Sequence, residues 1–306
     1  MPFRTVKPLR AVVIGLGQWG SQYLTFLKCS KYFKLVSAFD YDSAKLNKYA
    51  HSFGFEPADS IESLCKDFKA DAVFILTPTT THSDVFDRVS GYNLPVYMEK
   101  PIADSLTGAE KILSAAVGKD ILLYVAHSMK YEPSIKRIKE LLSSDDFGMI
   151  TDIKMVRTVK SQRSDYYPNA ALYQIGVHLI DVFYYLFGYV GEETAIQKAS
   201  EANTDMVSFA YDAAKVLLKY GFGKTYNFSI AIACEKGSVS LSDGELKIIT
   251  DNDQTVQKIP MKNENTIYLQ LEEFYYAINE EKAFLNTKEN AVKIMEFCEQ
   301  IVKAGE

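Results

Sequence analysis

The side chains best suited to acid–base chemistry lie in two short motifs far apart in the chain. Lys100 stands in Glu99-Lys100-Pro101, and His178 stands in Gly176-Val177-His178-Leu179-Ile180-Asp181. A lysine ammonium stabilises negative charge that develops on an oxygen or relays a proton, and an imidazole accepts or returns a proton near neutral pH. The two motifs therefore predict proton transfer at an oxygen-bearing carbon, whereas a solvated lysine before a turn is the alternative for Lys100.

His178 belongs to a polar stripe on a helix that the sequence predicts from about Ala170 to Phe187. Helical spacing places on this stripe Gln174, His178, Asp181 and Tyr185. A separate apolar face carries Leu172, Ile175, Leu179, Val182 and Leu186. Because unpaired polar groups are costly in a core, the stripe favours a ligand-facing role. A satisfied structural histidine is the alternative.

A glycine-rich turn near the start of the chain is typical of a dinucleotide site. Gly15-Leu16-Gly17-Gln18-Trp19-Gly20 follows the apolar run Arg10 to Ile14 and precedes a helix-compatible segment. Gly15 permits the tight turn, Gly17 lets the backbone approach phosphates, and Gly20 lets helix and strand pack closely. Free N–H groups at the helix start would face the anion.

Asp40 decides which dinucleotide the sequence favours. It ends a short apolar strand, Lys34 to Phe39, at the usual distance beyond the glycine turn. A carboxylate there accepts hydrogen bonds from the adenosine ribose and repels a 2′-phosphate. Tyr41 is not basic and Asp42 adds negative charge, so NAD is predicted in preference to NADP. An aspartate that merely opens a turn is the alternative.

Alternating strands and helices must position these residues. Near-continuous apolar strands end at Phe39, Leu76, Met98 and Ala126, with helical segments between them. This alternation predicts a doubly wound parallel sheet, a Rossmann dinucleotide-binding domain over residues 1–125. Ligands of such sheets bind beyond the carboxyl ends of the strands, so Gly15, Asp40, Thr77 and Lys100 should converge. His82 is expected to cap the helix that follows Thr77.

Residues 126–306 follow a different pattern, which predicts an α+β domain for substrate binding and oligomerisation. Short strands dominate from Met206 to Pro260, with turns at Gly221-Phe222-Gly223 and Ser242-Asp243-Gly244. Consecutive short strands indicate an open, mainly antiparallel sheet, and two helices end the chain. The boundary near residue 125 is inferred from this change of pattern alone.

Composition excludes several classes of partner. The chain has 306 residues and a net charge of −5, which argues against nucleic acid or an anionic membrane. No membrane span or secretory signal is expected. Four cysteines without metal-site spacing indicate reduced thiols in the cytoplasm and no metal. The β-rich half, with its many Tyr and Phe, favours a homodimer or homotetramer.

With these motifs in order, the chain resembles the glucose–fructose oxidoreductase / inositol dehydrogenase (Gfo/Idh/MocA) family from end to end. Further matching segments are Thr77-Pro78 with His82, the run Val125 to Pro133, Glu235-Lys236-Gly237-Ser238, and Leu271-Glu272-Glu273-Phe274. The resemblance implies an N-terminal Rossmann domain and a C-terminal α/β domain. It also implies NAD(P)-dependent oxidation or reduction at a hydroxyl or keto carbon, most often of a sugar, cyclitol or sugar nucleotide.

The predicted site follows from the motifs and the resemblance together. Lys100 and His178 are expected to be catalytic. Substrate contacts are expected from Gln174, Asp181, Lys130, Arg163 and Tyr173, although Arg163 could equally lie in a solvated loop. Cofactor contacts are expected from Gly15, Gly17, Gln18, Trp19, Gly20, Asp40, Tyr41, Thr77, Pro78, Glu99 and Lys100.

Gln174 departs from the family pattern, which commonly has aspartate four residues before the histidine. A neighbouring carboxylate typically shifts a pKa by about 1–3 units toward the charged form, and glutamine supplies no charge. Asp181 partly substitutes, or Lys100 carries more of the proton transfer. Two other functions stay open: a reductase of a non-sugar carbonyl or conjugated compound, and a nucleotide-binding sensor without turnover.

Overall fold

The computed structural model describes residues 6–160, 169–201, 203–250, 253–258, 266–280 and 282–305. The chain divides into two compact units. The first unit comprises Met1–His127 and Glu264–Val292, and the second comprises Ser128–Asn263 and Lys293–Glu306. The chain therefore returns to the first unit after completing the second sheet, a return that the change of sequence pattern near residue 125 does not reveal.

The first unit is built on a six-stranded parallel sheet, as predicted. Its strands are β1 (Leu9–Ile14), β2 (Phe33–Phe39), β3 (Glu56–Pro57), β4 (Ala72–Ile75), β5 (Val96–Glu99) and β6 (Leu123–Ala126). They lie in the order β3-β2-β1-β4-β5-β6. This is the Rossmann order. Successive strands are added on one side of β1 and then, from β4 onward, on its other side, and ligands bind in the crevice where this change occurs.

Helices alternate with these strands and supply the rest of the unit. They are α1 (Gln18–Cys29), α2 (Ser43–Phe53), α3 (Ile61–Asp67), α4 (His82–Ser90) and α5 (Leu106–Gly118). A later helix, α8 (Thr266–Glu280), also belongs to this unit. Most apolar residues of the strands are buried because the helices cover the sheet; Val73 and Ile75, for example, expose nothing.

Aromatic rings account for much of the core of the first unit. Phe33 stacks on Phe274 with ring centroids 5.6 Å apart, and Tyr97 stacks on Tyr124 at 5.2 Å. Phe74 lies between these pairs, 5.0 Å from Tyr97. Such ring pairs contribute about 0.5–1.5 kcal/mol each beyond their buried area. The aromatic richness of this unit therefore stabilises its packing and holds α8 against the sheet.

The second unit is built on an eight-stranded sheet. Its strands are β7 (Ile150–Lys160), β8 (Gln197–Glu201), β9 (Thr204–Tyr211), β10 (Ala214–Gly223), β11 (Asn227–Cys234), β12 (Gly237–Ser242), β13 (Glu245–Thr250) and β14 (Asp253–Lys258). They lie in the order β14-β13-β12-β11-β7-β10-β9-β8. Every neighbouring pair is antiparallel except β7 and β10, which run parallel. The predicted, mainly antiparallel sheet is confirmed.

Three further helices lie wholly or partly in this unit: α6 (Pro133–Leu142), α7 (Val177–Phe187) and the end of α9 (Lys288–Lys303). A π-helical segment, Leu172–Gly176, directly precedes α7. The predicted helix from Ala170 to Phe187 is thus not continuous α-helix. Single π turns inside helices occur frequently at functional sites.

The predicted turn at Gly221-Phe222-Gly223 is wrong. All three residues continue β10, and the Phe222 N–H donates to the Asn203 carbonyl at 2.9 Å. A Cβ at Gly221 would lie 2.2 Å from that same oxygen, so the glycine admits a close backbone approach. Glycine inside a strand often marks such an approach rather than a turn.

Candidate cofactor and catalytic sites

The three glycines in the turn between β1 and α1 differ in how much space surrounds each of them. Gly15 has φ of 92°, and a Cβ there would lie 2.8 Å from the Thr77 side chain. A Cβ at Gly20 would lie 2.0 Å from the Gly15 carbonyl oxygen. A Cβ at Gly17 would meet nothing within 4 Å. Gly15 and Gly20 are therefore required by the protein's own packing, whereas the space beside Gly17 is open.

The start of α1 suits an anion. Gly17 is the N-cap residue and has no side chain with which to cap the helix, and the first turn carries no acidic residue. The first N–H groups of a helix lack intrahelical partners and lie at the positive end of its dipole. An uncapped helix start next to an open space at Gly17 fits a pyrophosphate.

Asp40 is held against the glycine turn. Its carboxylate accepts the Leu16 N–H at 2.6 Å and the Asp42 N–H at 2.9 Å, and Lys45 Nζ lies 3.1 Å away. Burial raises the pKa of Asp40, but these N–H donors and the ammonium outweigh it and lower the pKa overall. The side chain is therefore an anion at neutral pH with a fixed orientation. Asp42, in contrast, caps α2 by accepting the Lys45 N–H at 2.9 Å.

A cavity of about 410 Å³ opens at the carboxyl edge of the sheet, within the first unit. The predicted cofactor residues that line it are Gly15, Gly17, Asp40, Tyr41, Thr77 and Pro78. The remaining predicted cofactor residues, which do not line it, are Gln18, Trp19, Gly20, Glu99 and Lys100. The convergence of β1, β2 and β4 at one edge thus places six of the residues together.

Two cations in this cavity are absent from the sequence-based prediction. Lys45, in the first turn of α2, pairs with Asp40. Arg88, on α4, donates to both Glu62 carboxylate oxygens at 2.8 Å and to the Tyr41 hydroxyl at 2.9 Å. Lys45 follows Asp40 closely enough to be found from sequence. Arg88 is far in sequence from its partners, so no local signal identifies it.

The residues around the cavity fit a dinucleotide. Within the part of the chain that the structure describes, Thr77 Oγ1 is buried and has no hydrogen-bond partner. It lies at the end of β4, on the wall of the cavity, where a ligand polar group would satisfy it. With the open space at Gly17, the uncapped helix and the oriented Asp40, the cavity offers phosphate, ribose and polar contacts.

Glu99 fixes the backbone of the lysine motif. Its carboxylate accepts the Lys100 N–H at 3.0 Å and the Tyr23 hydroxyl at 3.0 Å, and Tyr23 is 2.8 Å from the Tyr97 hydroxyl. Burial raises the pKa of Glu99, opposed by the Lys100 charge and the Tyr23 hydroxyl. Glu99 therefore anchors the turn in the core, and the half-buried Lys100 follows it.

Lys130 and Asp181, both predicted to contact substrate, form an ion pair inside the second unit. Lys130 Nζ lies 2.7 Å from Asp181 Oδ1, and the two side chains are 2% and 1% exposed. Tyr173, another predicted substrate residue, is also buried. These placements favour a structural role in holding α7 over direct contact with a ligand. Arg163 lies outside the described residues.

Gln174 and His178 retain access to the surface of their unit. Both are half-buried, and Gln174 lies in the π-helical segment immediately before α7. The members of the predicted polar stripe therefore differ in burial. Asp181 is buried, whereas Gln174, His178 and Tyr185 are partly exposed. A catalytic role for His178 stays a prediction.

In the described ranges, no three His, Cys, Asp or Glu side chains come together in a group that could hold a metal ion. No helix in those ranges combines the length and the apolar character needed to cross a bilayer.

Comparison with known proteins assigns both halves of the chain. A family model described as an oxidoreductase family with an NAD-binding Rossmann fold, Gfo/Idh/MocA, matches residues 9–127. The model of the C-terminal α/β domain of the same family matches residues 139–304. The predicted family and fold and an NAD(P) cofactor are confirmed, with NAD favoured.

Individual relatives are distant. An uncharacterised oxidoreductase, YrbE, of Bacillus subtilis is 21% identical over 82% of this chain and 71% of its own length. A myo-inositol 2-dehydrogenase of Thermotoga maritima is 25% identical over 46% of this chain and 42% of its own length. The chain thus spans less than half of that enzyme.

Two solved structures share the fold over nearly the whole chain. An oxidoreductase from Agrobacterium radiobacter in complex with NAD+, L-tartaric acid and magnesium has a TM-score of 0.85 at 17% identity, covering 97% of this chain and 96% of the other. A UDP-N-acetylglucosamine 3-dehydrogenase from Acidithiobacillus ferrooxidans has a TM-score of 0.84 at 17% identity, covering 98% of each. At such identities the likeness concerns the fold.

Proposed function

This chain belongs to the Gfo/Idh/MocA oxidoreductase family, and on that premise we propose that it transfers hydride between NAD and a hydroxyl- or keto-bearing carbon of a sugar, cyclitol or sugar nucleotide. The observation that carries the proposal is the cavity at the carboxyl edge of the first sheet, with Asp40 fixed at its wall. Relatives named as myo-inositol 2-dehydrogenase and UDP-N-acetylglucosamine 3-dehydrogenase support the substrate class.

NAD would be held by the glycine turn, the start of α1, Asp40 and Thr77, and when bound it supplies a nicotinamide ring that accepts or donates hydride. The protein's own residues would stabilise charge on the substrate and orient the cofactor. Lys100 stabilises negative charge on the reacting oxygen, and its backbone is anchored through Glu99. Asp40 orients the adenosine ribose and disfavours a 2′-phosphate.

His178 is proposed to accept the hydroxyl proton in the oxidative direction. Its half-buried position on α7 leaves the imidazole partly exposed. Gln174 would position a neighbouring hydroxyl by hydrogen bonding but adds no charge. Because no carboxylate stands at position 174, we expect a weaker base than in relatives that have one, with more of the proton transfer at Lys100.

Turnover of a panel of sugars, cyclitols and sugar nucleotides with NAD tests the proposal. The variants Lys100→Met and His178→Ala should each lower kcat by about 10²–10⁴-fold, as loss of a general acid–base group does. Matched controls are Lys111→Met, on the exposed side of α5, and His51→Ala, on the exposed side of α2; both should keep wild-type rates. Near wild-type turnover in both site variants would overturn the assignment.

The same panel separates the rival functions. A conjugated or non-sugar carbonyl that is reduced while every sugar fails would favour the reductase, and NAD binding without any turnover would favour a sensor. The feature that speaks for the reductase is Gln174, whereas the retained Lys100 and His178 count against a sensor without turnover.

We also infer a cytoplasmic homodimer or homotetramer. The compartment is supported by four free thiols, of which Cys65 and Cys298 are buried and none is paired. The assembly is supported by the large open sheet of the second unit. Light scattering of the purified chain measures the assembly directly, and a monomer at micromolar concentration would contradict it.

A further inference from the structure

His82 is a buried histidine that the proposed chemistry leaves without a role. It is the first residue of α4, and its side chain exposes nothing to solvent. Nδ1 lies 3.0 Å from the Pro101 carbonyl oxygen, and Nε2 lies 3.0 Å from the Thr77 carbonyl oxygen. The ring therefore does not cap its own helix, as the sequence had led us to expect; it spans two segments of backbone.

The two segments belong to different parts of the proposed machinery. Thr77 lines the cofactor cavity at the end of β4. Pro101 follows Lys100 in the turn after β5. Strands β4 and β5 are neighbours in the sheet, so their carboxyl-end turns lie side by side, and His82 joins them where strand pairing has ended.

The chemistry of the contacts suits a fixed link. Backbone carbonyls only accept hydrogen bonds, so either contact is a hydrogen bond only where that ring nitrogen carries a proton. A neutral imidazole donates one of the two bonds, and an imidazolium donates both. In a site closed to water, a lost bond leaves a carbonyl unsatisfied, at a typical cost of about 1–3 kcal/mol. Either protonation state therefore ties the ring to at least one segment.

We propose that His82 is a positioning residue that holds the Lys100 turn in register with the Thr77 edge of the cofactor cavity. The proposal rests on the proposed function, because it assigns the link a purpose in hydride transfer. His82 acts through backbone carbonyls and touches no reacting atom. Its loss should therefore alter how Lys100 and the cofactor edge are placed without removing either group.

Two conservative variants separate the ends of the link. In His82→Asn the amide nitrogen takes the place of Nδ1, so the bond to Pro101 is kept and the bond to Thr77 is lost. In His82→Gln the amide nitrogen takes the place of Nε2, so the bond to Thr77 is kept and the bond to Pro101 is lost. The two variants thus each remove the contact with one backbone segment and keep the contact with the other.

A crossed pattern is expected. His82→Gln should lower kcat about tenfold while its Kd for NAD, read from the emission of the single tryptophan, stays within about twofold of wild type. His82→Asn should raise the Kd for NAD about tenfold while kcat stays within about threefold. If His82 were merely structural, each variant would either lower kcat and raise the Kd for NAD together or change neither. Either result overturns the proposal.

Hydrogen exchange provides a readout that needs no turnover. Backbone exchange should increase at residues 99–104 in His82→Gln and at residues 77–81 in His82→Asn, with α5 as an internal control. This arm supports or overturns the link even if no substrate is found and the proposed function fails. If neither variant folds, a His82 ring N–H in the wild type that exchanges with water as fast as that of the exposed His51 overturns the proposal.

Discussion

Two lysine–aspartate pairs, one in each unit, have the same chemistry and different surroundings. Lys45 and Asp40 are 3.1 Å apart, with side chains 33% and 12% exposed, on the wall of an open cavity. Lys130 and Asp181 are 2.7 Å apart and almost wholly buried. Exposed pairs contribute little to stability, whereas breaking a buried pair leaves an uncompensated charge in the interior. The Lys45–Asp40 pair should therefore affect ligand binding, and the Lys130–Asp181 pair should affect the stability of the fold.

Removing one partner of the buried pair gives the largest expected effect. Lys130→Met removes the buried cation that lies 2.7 Å from Asp181 and should lower the free energy of unfolding by about 3–5 kcal/mol. Chemical denaturation measures this change, and Lys45→Met, which breaks the exposed pair, is the matched control with an expected loss of at most about 1 kcal/mol.

A double variant sharpens the test of the buried pair. Lys130→Met with Asp181→Leu removes both charges and should recover most of the stability lost by Lys130→Met alone. Equal losses for the Lys130 and Lys45 variants would show that burial does not distinguish the pairs.

The glycine turn beside Asp40 allows fold and ligand effects to be separated within the open region. Gly20→Ala would place a Cβ 2.0 Å from the Gly15 oxygen and should destabilise the first unit by about 1–3 kcal/mol. Gly17→Ala meets no atom within 4 Å, so its melting temperature should stay near wild type. Its affinity for NAD should fall at least about tenfold, because the methyl group occupies the phosphate approach.

Calorimetry of both glycine variants, with and without NAD, measures these quantities. Unchanged NAD affinity in Gly17→Ala would contradict the assignment of the open space to the cofactor.

Charge changes in the exposed pair should alter cofactor choice with little effect on stability. Asp40→Asn removes the repulsion of a 2′-phosphate and should shift the ratio of NAD to NADP affinity about tenfold toward NADP. Lys45→Ala leaves Asp40 uncompensated and should shift the ratio toward NAD. The two ratios are measured by titration with each cofactor, and a shift of the same sign in both variants would contradict the role of the pair.

The smallest effect expected is the response of NAD affinity to pH. The pKa of Asp40 lies below its ordinary value, so the carboxylate is ionised throughout pH 5–8. Because the carboxylate does not lose its charge in that window and NAD carries no group that titrates there, the Kd for NAD should stay constant over that range. A Kd for NAD that changes by more than about threefold between pH 5 and 8 would show that another group titrates in the site.

The sequence predicted the parts of this molecule that depend on local pattern. Apolar strands such as β1 and β4 define a parallel sheet, and the spacing from Gly20 to Asp40 reflects one β-α-β unit, so both were predictable. The edge strand β8 was missed because its sequence is polar, as is common at sheet edges.

Other features depend on tertiary contacts that spacing does not encode. Lys130 and Asp181 were predicted to bind substrate because nothing in the sequence shows that each neutralises the other in the interior. Arg88 reaches Tyr41 only after α4 packs beside α3, and His82 reaches Pro101 only across the turns that follow two neighbouring strands. Helical spacing likewise did not reveal the π turn that precedes His178.

The most direct test of the cofactor site is titration of the wild-type chain with NAD and with NADP, followed through Trp19. This residue is the single tryptophan, lies in the first turn of α1 and is 49% exposed, so its emission reports on the glycine turn. We expect a saturable change with both cofactors and a Kd for NAD at least about tenfold below that for NADP. No change with either cofactor, or tighter binding of NADP, would contradict the account.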